Sequence, residues 1–235
     1  QEKRFTKLSI LFAIILFCFL LLRRAWLCDD AFITFRTVDN LLNGYRLTWN
    51  VTERVQVYTH PLWMMVIAGI NFLLRDIYLT AISVSIILSL LAVSLLALKI
   101  TKFEIAALFS LMILSLSKSF LDYSTSGLEN PLSHLLIVLF FITYFGYENT
   151  ARKILLLSII FSLSITNRMD TALILLPSLI FAAVQLKGKK RFLFLIIGQI
   201  PFILWMVFSI FYYGFPFPNT AYAKLNTGIP SNELI

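Results

Sequence analysis

The chain alternates between long apolar runs and short polar turns. The apolar runs contain 15 to 22 residues, and a helix needs roughly 20 residues to cross the hydrocarbon core of a membrane. The pattern predicts seven membrane-spanning helices, at 8–22, 77–98, 103–119, 131–147, 152–167, 171–186 and 192–213. The predicted fold class is therefore an all-α polytopic membrane protein.

The longest stretch without such a run, 26–76, is predicted to be the first loop outside the membrane. It contains an apolar stripe at helical spacing that ends before Asn43-Gly44, which predicts an amphipathic helix. Asp29 or Asp30 is then expected to cap the start of that helix. Residues 61–74 are apolar too, but a helix of this length reaches only about 21 Å, which is short of a full crossing.

The distribution of charge decides how segment 61–74 is interpreted. If it does not span, eleven basic and three acidic residues lie on the cytoplasmic face, so that face carries the whole net charge of +8. If it does span, thirteen of the twenty basic residues lie outside, against the usual positive-inside bias. We therefore predict a cytoplasmic N-terminus, with 61–74 at the outer interface.

The composition agrees with a membrane protein. The mean hydropathy is +0.86 and only 14% of the residues are charged, too few to cover a water-soluble globule of this size. The basic balance thus serves as an orientation signal, and we expect no nucleic-acid partner. Cys18 and Cys28 are expected to be free thiols, because ten helical residues separate them by about 15 Å. The start at Gln1 suggests a fragment of a longer protein.

This topology places the polar-rich turns together on the outer face. They are Asp29-Asp30 and the segments 122–130, 166–170 and 213–224. The cytoplasmic loops are short and basic. Any chemistry is therefore expected on the extracytoplasmic side.

Several motifs in these turns resemble one enzyme family. They are D-D-A-F-I-T-F-R, N-L-L-N-G, W-N, E-R-V and H-P-L-W in the first loop, followed by S-G-L-E-N-P-L, T-N-R-M-D and F-P-N-T-A-Y-A-K-L. In this order they resemble the GT-C glycosyltransferases, in particular the branch of terminal β-arabinofuranosyltransferases, over residues 26–225. Departures at 56–60 and 168–171 leave the particular sugar open. Family members are commonly about twice as long, so the resemblance implies an N-terminal catalytic module that forms a single domain, 1–235.

The resemblance implies sugar transfer from a polyprenyl phosphate to an acceptor hydroxyl, usually with inversion. Such a displacement needs one general base, and Asp29 and Asp30 are the candidates, since adjacent like charges disfavour full ionisation of both. The alternative is structural, with one aspartate as helix cap and the other as a solvated charge. A divalent cation is left open, with Asp30 and Glu129 as its candidate ligands.

Further residues are candidates for binding the donor phosphate or the substrate. An arginine such as Arg168 binds phosphate bidentately, or it only pairs with Asp170. Glu129 orients the acceptor, or only faces a helix dipole. His60 bonds the phosphate, or only its own loop. The remaining candidates are Lys224, Tyr222, Asn219 and Arg36, with lipid-headgroup contact as the alternative for the first two.

The predicted function is therefore an inverting glycosyltransferase that acts on a cell-wall or surface glycan, with a pentofuranose among the sugars considered. Its partners would be the polyprenyl-phosphate sugar, the glycan acceptor and the bilayer of the cytoplasmic membrane. The alternatives are a lipid or solute transporter and a non-catalytic membrane module. A transporter would place ionisable residues near the midplane, often in repeated halves, whereas these acids cluster at one interface.

Overall fold

The computed structural model describes residues 2–101, 103–186, 188 and 190–225, and within them all regular structure is helical. This confirms the predicted all-α class. The helices are α1 (Glu2–Arg23), α2 (Asp29–Leu42), α3 (Pro61–Leu74), α4 (Ile77–Leu95), α5 (Glu104–Leu116), α6 (Lys118–Tyr123), α7 (Asn130–Gly146), α8 (Ala151–Asn167), α9 (Ala172–Gln185), α10 (Lys190–Gly198), α11 (Ile200–Tyr213) and α12 (Asn219–Leu225). A π-helical turn, Leu96–Ile100, extends α4, and a 3₁₀ turn, Met169–Thr171, precedes α9.

Helix length supports fewer membrane crossings than the sequence pattern predicts. In the described part of the chain, one helix, Ile77–Ile100, is long and apolar enough to cross a membrane. Helices α10 and α11 pass the same test only together, and they are bent by 47°. The other apolar helices are shorter. The seven predicted crossings are therefore not confirmed, although α7, α8 and α9 occupy nearly the predicted ranges.

Two predicted continuous helices are divided, and local chemistry explains both breaks. Within 103–119, the Ser117 side chain accepts a hydrogen bond from the Phe120 backbone N–H and so starts the new helix α6. Within 192–213, the break falls at Gln199, close to Pro201 in the first turn of α11. Proline has no N–H to donate to the preceding helix, and the first turn of a helix is the position where this costs least.

Helices α2 and α3 form as predicted. Ala31, Phe35 and Val38 on the apolar stripe of α2 are buried, and the helix ends before Asn43. The helix cap differs from the prediction, because Cys28 occupies the N-cap position and both aspartates lie in the first turn. Helix α3 covers the predicted fourteen residues of 61–74 and begins at a proline. Whether α3 lies at the outer interface stays a prediction.

The helices pack around three apolar clusters. The first joins α2, α3, the starts of α4 and α7, and α11, and its centre includes the fully buried Trp63. The second joins α1, the end of α4 and α5, and the third joins α7, α8 and α9. Outward-facing side chains such as Leu173 and Phe211 are more than four-fifths exposed, as expected of a surface that faces lipid rather than water.

Candidate active site

The turn 124–129 is fixed against the start of α2 and α3. Its Ser126 carbonyl accepts a hydrogen bond from the Cys28 N–H at 3.0 Å, and the Gly127 carbonyl accepts one from Trp63 Nε1 at 2.9 Å. Gly127 has a φ of +81°, and a Cβ there would lie 2.9 Å from the Ala31 Cβ. Only glycine fits this close approach in this conformation. The turn thereby brings Glu129 beside the first loop.

Glu129 is the centre of a network of ion-pair and hydrogen-bond contacts that joins residues distant in sequence. Its carboxylate is buried, with Oε2 at 3.2 Å from His60 Nδ1 and Oε1 at 3.2 Å from Arg168 Nη1. On its other side, His60 Nε2 lies 2.6 Å from Thr34 Oγ1. Arg168 Nε donates to both oxygens of Asp170 at 2.9 Å. The network therefore joins α2, the start of α3, the start of α7 and the end of α8.

The electrostatics of the network assign the protons. Burial lowers the pKa of His60; the Glu129 charge raises this pKa and the Arg168 charge lowers it, so the net shift is downward and the ring is neutral near pH 7. An ionised carboxylate only accepts hydrogen bonds. A proton on His60 Nδ1 faces the Glu129 carboxylate across a contact of 3.2 Å, which leaves Nε2 to accept a hydrogen bond from the Thr34 hydroxyl.

Arg168 is held as a cation by two acids. Burial by itself lowers the pKa of Arg168, but the hydrogen bond to Asp170 and the Glu129 charge raise it, and the net shift is upward. Its Nη1 also donates to Asn130 Oδ1 at 3.0 Å. Its Nη2 has no hydrogen-bond partner in the described part of the chain, and the side chain is 43% exposed. The guanidinium thus retains donor capacity toward the surroundings.

The two aspartates at the start of α2 are exposed but occupy different faces of the helix. Asp30 lies four residues before the buried Thr34, and residues at this spacing share a helix face. Asp29 lies four residues before the exposed Ile33, and its Oδ1 accepts a hydrogen bond from the Asp30 N–H at 3.0 Å. Asp30 is therefore the aspartate on the side of the His60–Glu129 pair.

Thr34 and Asn167 belong to the site although sequence reasoning did not single them out. Asn167 is fully buried, and its Nδ2 donates to the Glu129 carbonyl at 3.1 Å and to Ser133 Oγ at 2.9 Å. Asn167 thereby ties the end of α8 to the start of α7. A polar residue on the apolar face of a predicted amphipathic helix was the available signal for Thr34.

The other predicted binding residues make their contacts elsewhere. The Arg36 guanidinium lies 4.4 Å from the centre of the Trp49 ring on the outer face of α2. The Asn219 N–H donates to the Gln56 carbonyl at 3.0 Å, and the Tyr222 ring packs on Phe215. The side chain of Lys224 lies outside the described residues. These four residues stay predictions.

Two aromatic side chains near the site are packed inside the protein. Tyr58 and Trp63 are 2% and 0% exposed and belong to the first apolar cluster. The Tyr58 ring contacts Trp205 and so packs the first loop against α11. Cys18 and Cys28 are free thiols, as predicted.

No arrangement typical of a metal site is found among the described residues, where His, Cys, Asp and Glu form no group of three or more around one point. Both Glu129 oxygens are already engaged, one by His60 and the other by Arg168. A cation bound to Glu129 would lie beside a guanidinium, which disfavours it electrostatically. These residues do not fit a divalent cation at Glu129.

The fold and site together define an all-helical protein with a buried acid–base network at the ends of apolar helices. The chain is 28% identical over 222 residues to the terminal beta-(1->2)-arabinofuranosyltransferase of Mycobacterium tuberculosis (strain ATCC 25618 / H37Rv). The alignment covers 86% of this chain and 35% of the relative, so the chain spans about a third of the length of this curated protein. No family model and no solved structure matches the chain. The similarity supports a glycosyltransferase relationship.

Proposed function

We propose that this chain is a transmembrane module of an inverting GT-C glycosyltransferase that moves a sugar from a polyprenyl phosphate to a cell-wall or surface glycan hydroxyl. The proposal includes seven crossings, a cytoplasmic N-terminus and an extracytoplasmic site. One observation carries it: the motifs that contain His60 and Arg168 each contact Glu129 at 3.2 Å, and the motif that contains Thr34 joins them through His60 at 2.6 Å. The similarity to an arabinofuranosyltransferase supports the same function and favours a pentofuranose.

Asp30 is the proposed general base. It would take the proton of the acceptor hydroxyl while the acceptor oxygen forms a bond to the anomeric carbon. The bond between that carbon and the phosphate oxygen breaks at the same time, and polyprenyl phosphate leaves with the electron pair. The transition state is oxocarbenium-like, and a single displacement inverts the anomeric configuration. The exposure of Asp30 supports this role, since the acceptor must reach it.

Arg168 is the proposed phosphate ligand. A guanidinium binds phosphate through charge-assisted hydrogen bonds, and the unpartnered Nη2 would supply one. An apolar groove of about 500 Å³ runs between α3, α8 and α11, and Thr166 on its wall lies two residues before Arg168. The groove offers a place for the isoprenoid chain of the donor. Lys224, Tyr222, Asn219 and Arg36 remain proposed contacts of the donor or acceptor.

A metal ion plays no part in this mechanism. The engaged oxygens of Glu129 argue against a shared site with Asp30, and the cation of Arg168 can stabilise the leaving phosphate. The involvement of a divalent cation is testable by comparing transfer with and without a chelator in the same assay.

The experiment is sugar transfer by the full-length protein, purified in detergent and supplied with radiolabelled polyprenyl-phosphate sugars and membrane glycan acceptors. Asp30→Asn should lose activity by about 10²- to 10⁴-fold, the usual contribution of a general base. Asp29→Asn is the matched control, because it makes the same change one residue away and should retain activity within a few-fold. Loss in Asp29→Asn alone would move the base to Asp29. Equal activity in both variants would refute the mechanism, and inactivity of the wild type with every donor would refute the proposed function.

A transporter has less support from the geometry. The ionisable groups of the network lie at helix ends, where one arginine is paired with two acids, whereas transport sites place such groups near the membrane midplane. Uptake of labelled lipid phosphate into vesicles without any sugar transfer would favour the transporter.

A further inference from the structure

We propose that His60 is a positioning residue for the transfer reaction, not a ligand of the donor phosphate. Together, Thr34 and His60 form a brace that orients Glu129, and Glu129 in turn fixes the guanidinium of Arg168. This inference rests on the proposed function and deepens it. It concerns how the site holds the distance between the proposed base and the proposed phosphate ligand.

The first step is the confinement of the imidazole. His60 is 7% exposed and Thr34 is 1% exposed. Both ring nitrogens are engaged, Nε2 with the Thr34 hydroxyl and Nδ1 with the Glu129 carboxylate. His60 also occupies the N-cap of α3, directly before Pro61, so its backbone is fixed as well. A ring turned away from this position loses both contacts, and no nitrogen is left for a phosphate.

The second step is the orientation of Glu129. Its side chain makes no capping hydrogen bond to α7, although it occupies the N-cap position of that helix. The carboxylate is therefore oriented from outside its own element, by His60 on one oxygen and Arg168 on the other. Without His60, one oxygen of a buried carboxylate would lose its partner, and the group would rotate or draw in water.

The third step is the plane of the guanidinium. Asp170 holds Arg168 at Nε, and Glu129 and Asn130 hold it at Nη1. Two fixed points on a rigid planar group also define where Nη2 lies. Removal of the Glu129 contact takes the charged partner from Nη1, so this end of the guanidinium is then held by the neutral Asn130 oxygen at 3.0 Å.

The brace also connects Arg168 to the helix that carries the proposed base. Asp30 and Thr34 are one turn apart on α2, so the chain of contacts Thr34–His60–Glu129–Arg168 sets the spacing between base and phosphate ligand. A displacement of about 1 Å in a reacting group is enough to lower a rate by about 100-fold. A brace of buried polar contacts is suited to that task because His60 and Thr34 are withdrawn from competing water.

The first test compares two buried threonines of α2. Thr34→Val removes the hydroxyl that bonds His60, whereas Thr37→Val removes a hydroxyl that donates only to Ile33 of the same helix, at 3.2 Å. Both threonines are 1% exposed. In the full-length protein, Thr34→Val should lower kcat/KM for the polyprenyl-phosphate sugar about 10-fold or more, mainly through KM, and Thr37→Val should not. Equal kinetics of the two variants would overturn the brace.

A double-mutant cycle separates positioning from general loss of structure. If His60 acts through Glu129, the variant His60→Gln/Glu129→Gln should be no slower than Glu129→Gln alone, because the second change breaks a chain that is already broken. Independent structural roles predict that the two losses multiply. Multiplied losses would overturn the proposal, and thermal unfolding of each variant verifies that the folded protein is compared.

A spectroscopic experiment tests the brace independently of any measurement of sugar transfer. In ¹⁵N-histidine NMR of the full-length protein, the signals of His60 are those that are missing from the spectrum of His60→Gln. The Nδ1–H tautomer is expected, and Glu129→Leu, which removes the acceptor beside Nδ1, should abolish its preference. An Nε2–H tautomer, or no response to Glu129→Leu, would overturn the brace. Absence of sugar transfer by the wild type would refute the proposed function instead, while this spectrum would still decide whether the brace exists.

Discussion

Gly127 provides the most direct test of how the site is assembled. It sits in the turn that carries Glu129 toward α2, and a Cβ there would lie 2.8 Å from Leu27 Cδ2, 2.9 Å from Ala31 Cβ and 3.1 Å from Phe35 Cζ. Gly127→Ala therefore adds two costs. A left-handed backbone costs a residue with a Cβ about 1–2 kcal/mol, and forcing extra volume into a packed contact costs about 1–3 kcal/mol.

Gly44→Ala separates these two costs. Gly44 has a φ of +83°, close to the +81° of Gly127, but a Cβ at Gly44 would have no neighbouring heavy atom within 4 Å. It therefore carries the backbone cost without the packing cost. The difference between the two variants should equal the packing cost, about 1–3 kcal/mol. For a chain of this size this corresponds to a melting temperature lower by about 2–12 °C for Gly127→Ala than for Gly44→Ala.

The assay is thermal unfolding of both variants in the same detergent, followed by circular dichroism, with sugar transfer measured well below the transition. Transfer should fall in Gly127→Ala beyond the loss of folded protein, because the displaced turn moves Glu129 two residues later. Equal melting temperatures would show that the turn is not packed on α2 as described. A lower melting temperature with normal transfer would show that the position of this turn does not affect the sugar-transfer reaction.

Two further predictions concern stability. Burial lowers the pKa of His60 from its usual value of 6.5, so the unfolded chain binds more protons than the folded protein below that pH. The contribution of His60 to stability is therefore complete above pH 6.5 and declines as the pH falls toward the folded-state pKa. His60→Gln should flatten this decline when melting temperatures are measured from neutral to mildly acid pH. The Tyr213 hydroxyl donates to the Leu47 carbonyl at 2.9 Å and lies 3.0 Å from the Tyr58 hydroxyl. Tyr213→Phe should therefore destabilise the protein by about 1–3 kcal/mol in the same unfolding assay. Tyr78→Phe is the control, because this side chain is 54% exposed, and it should have almost no effect. Equal effects of the two variants would contradict the described packing of the first loop on α11.

Local pattern was enough to predict the elements of the first loop. The stripe through Ala31 and Phe35 predicted α2, and the apolar segment of fourteen residues predicted α3. Helical periodicity is a local property, so neighbouring residues carry it. The apolar pattern did not predict the breaks within 103–119 and 192–213, because the residues that cause them are single positions in long apolar runs. A serine at 117 and a proline at 201 divide these two segments, which hydrophobicity alone predicted as continuous helices.

The sequence by itself determined the helical class, the apolar character of the chain and the motifs that supply the acids and the arginine. Only the tertiary structure decided which of these residues meet. His60, Glu129 and Arg168 are separated by 69 and 39 positions, and no local pattern encodes a contact across such a distance. The tertiary structure also favoured Asp30 over Asp29 as the candidate base, because burial of Thr34 identifies which face of α2 the network occupies. Side-chain contacts between helices depend on packing, and packing is a property of the whole fold.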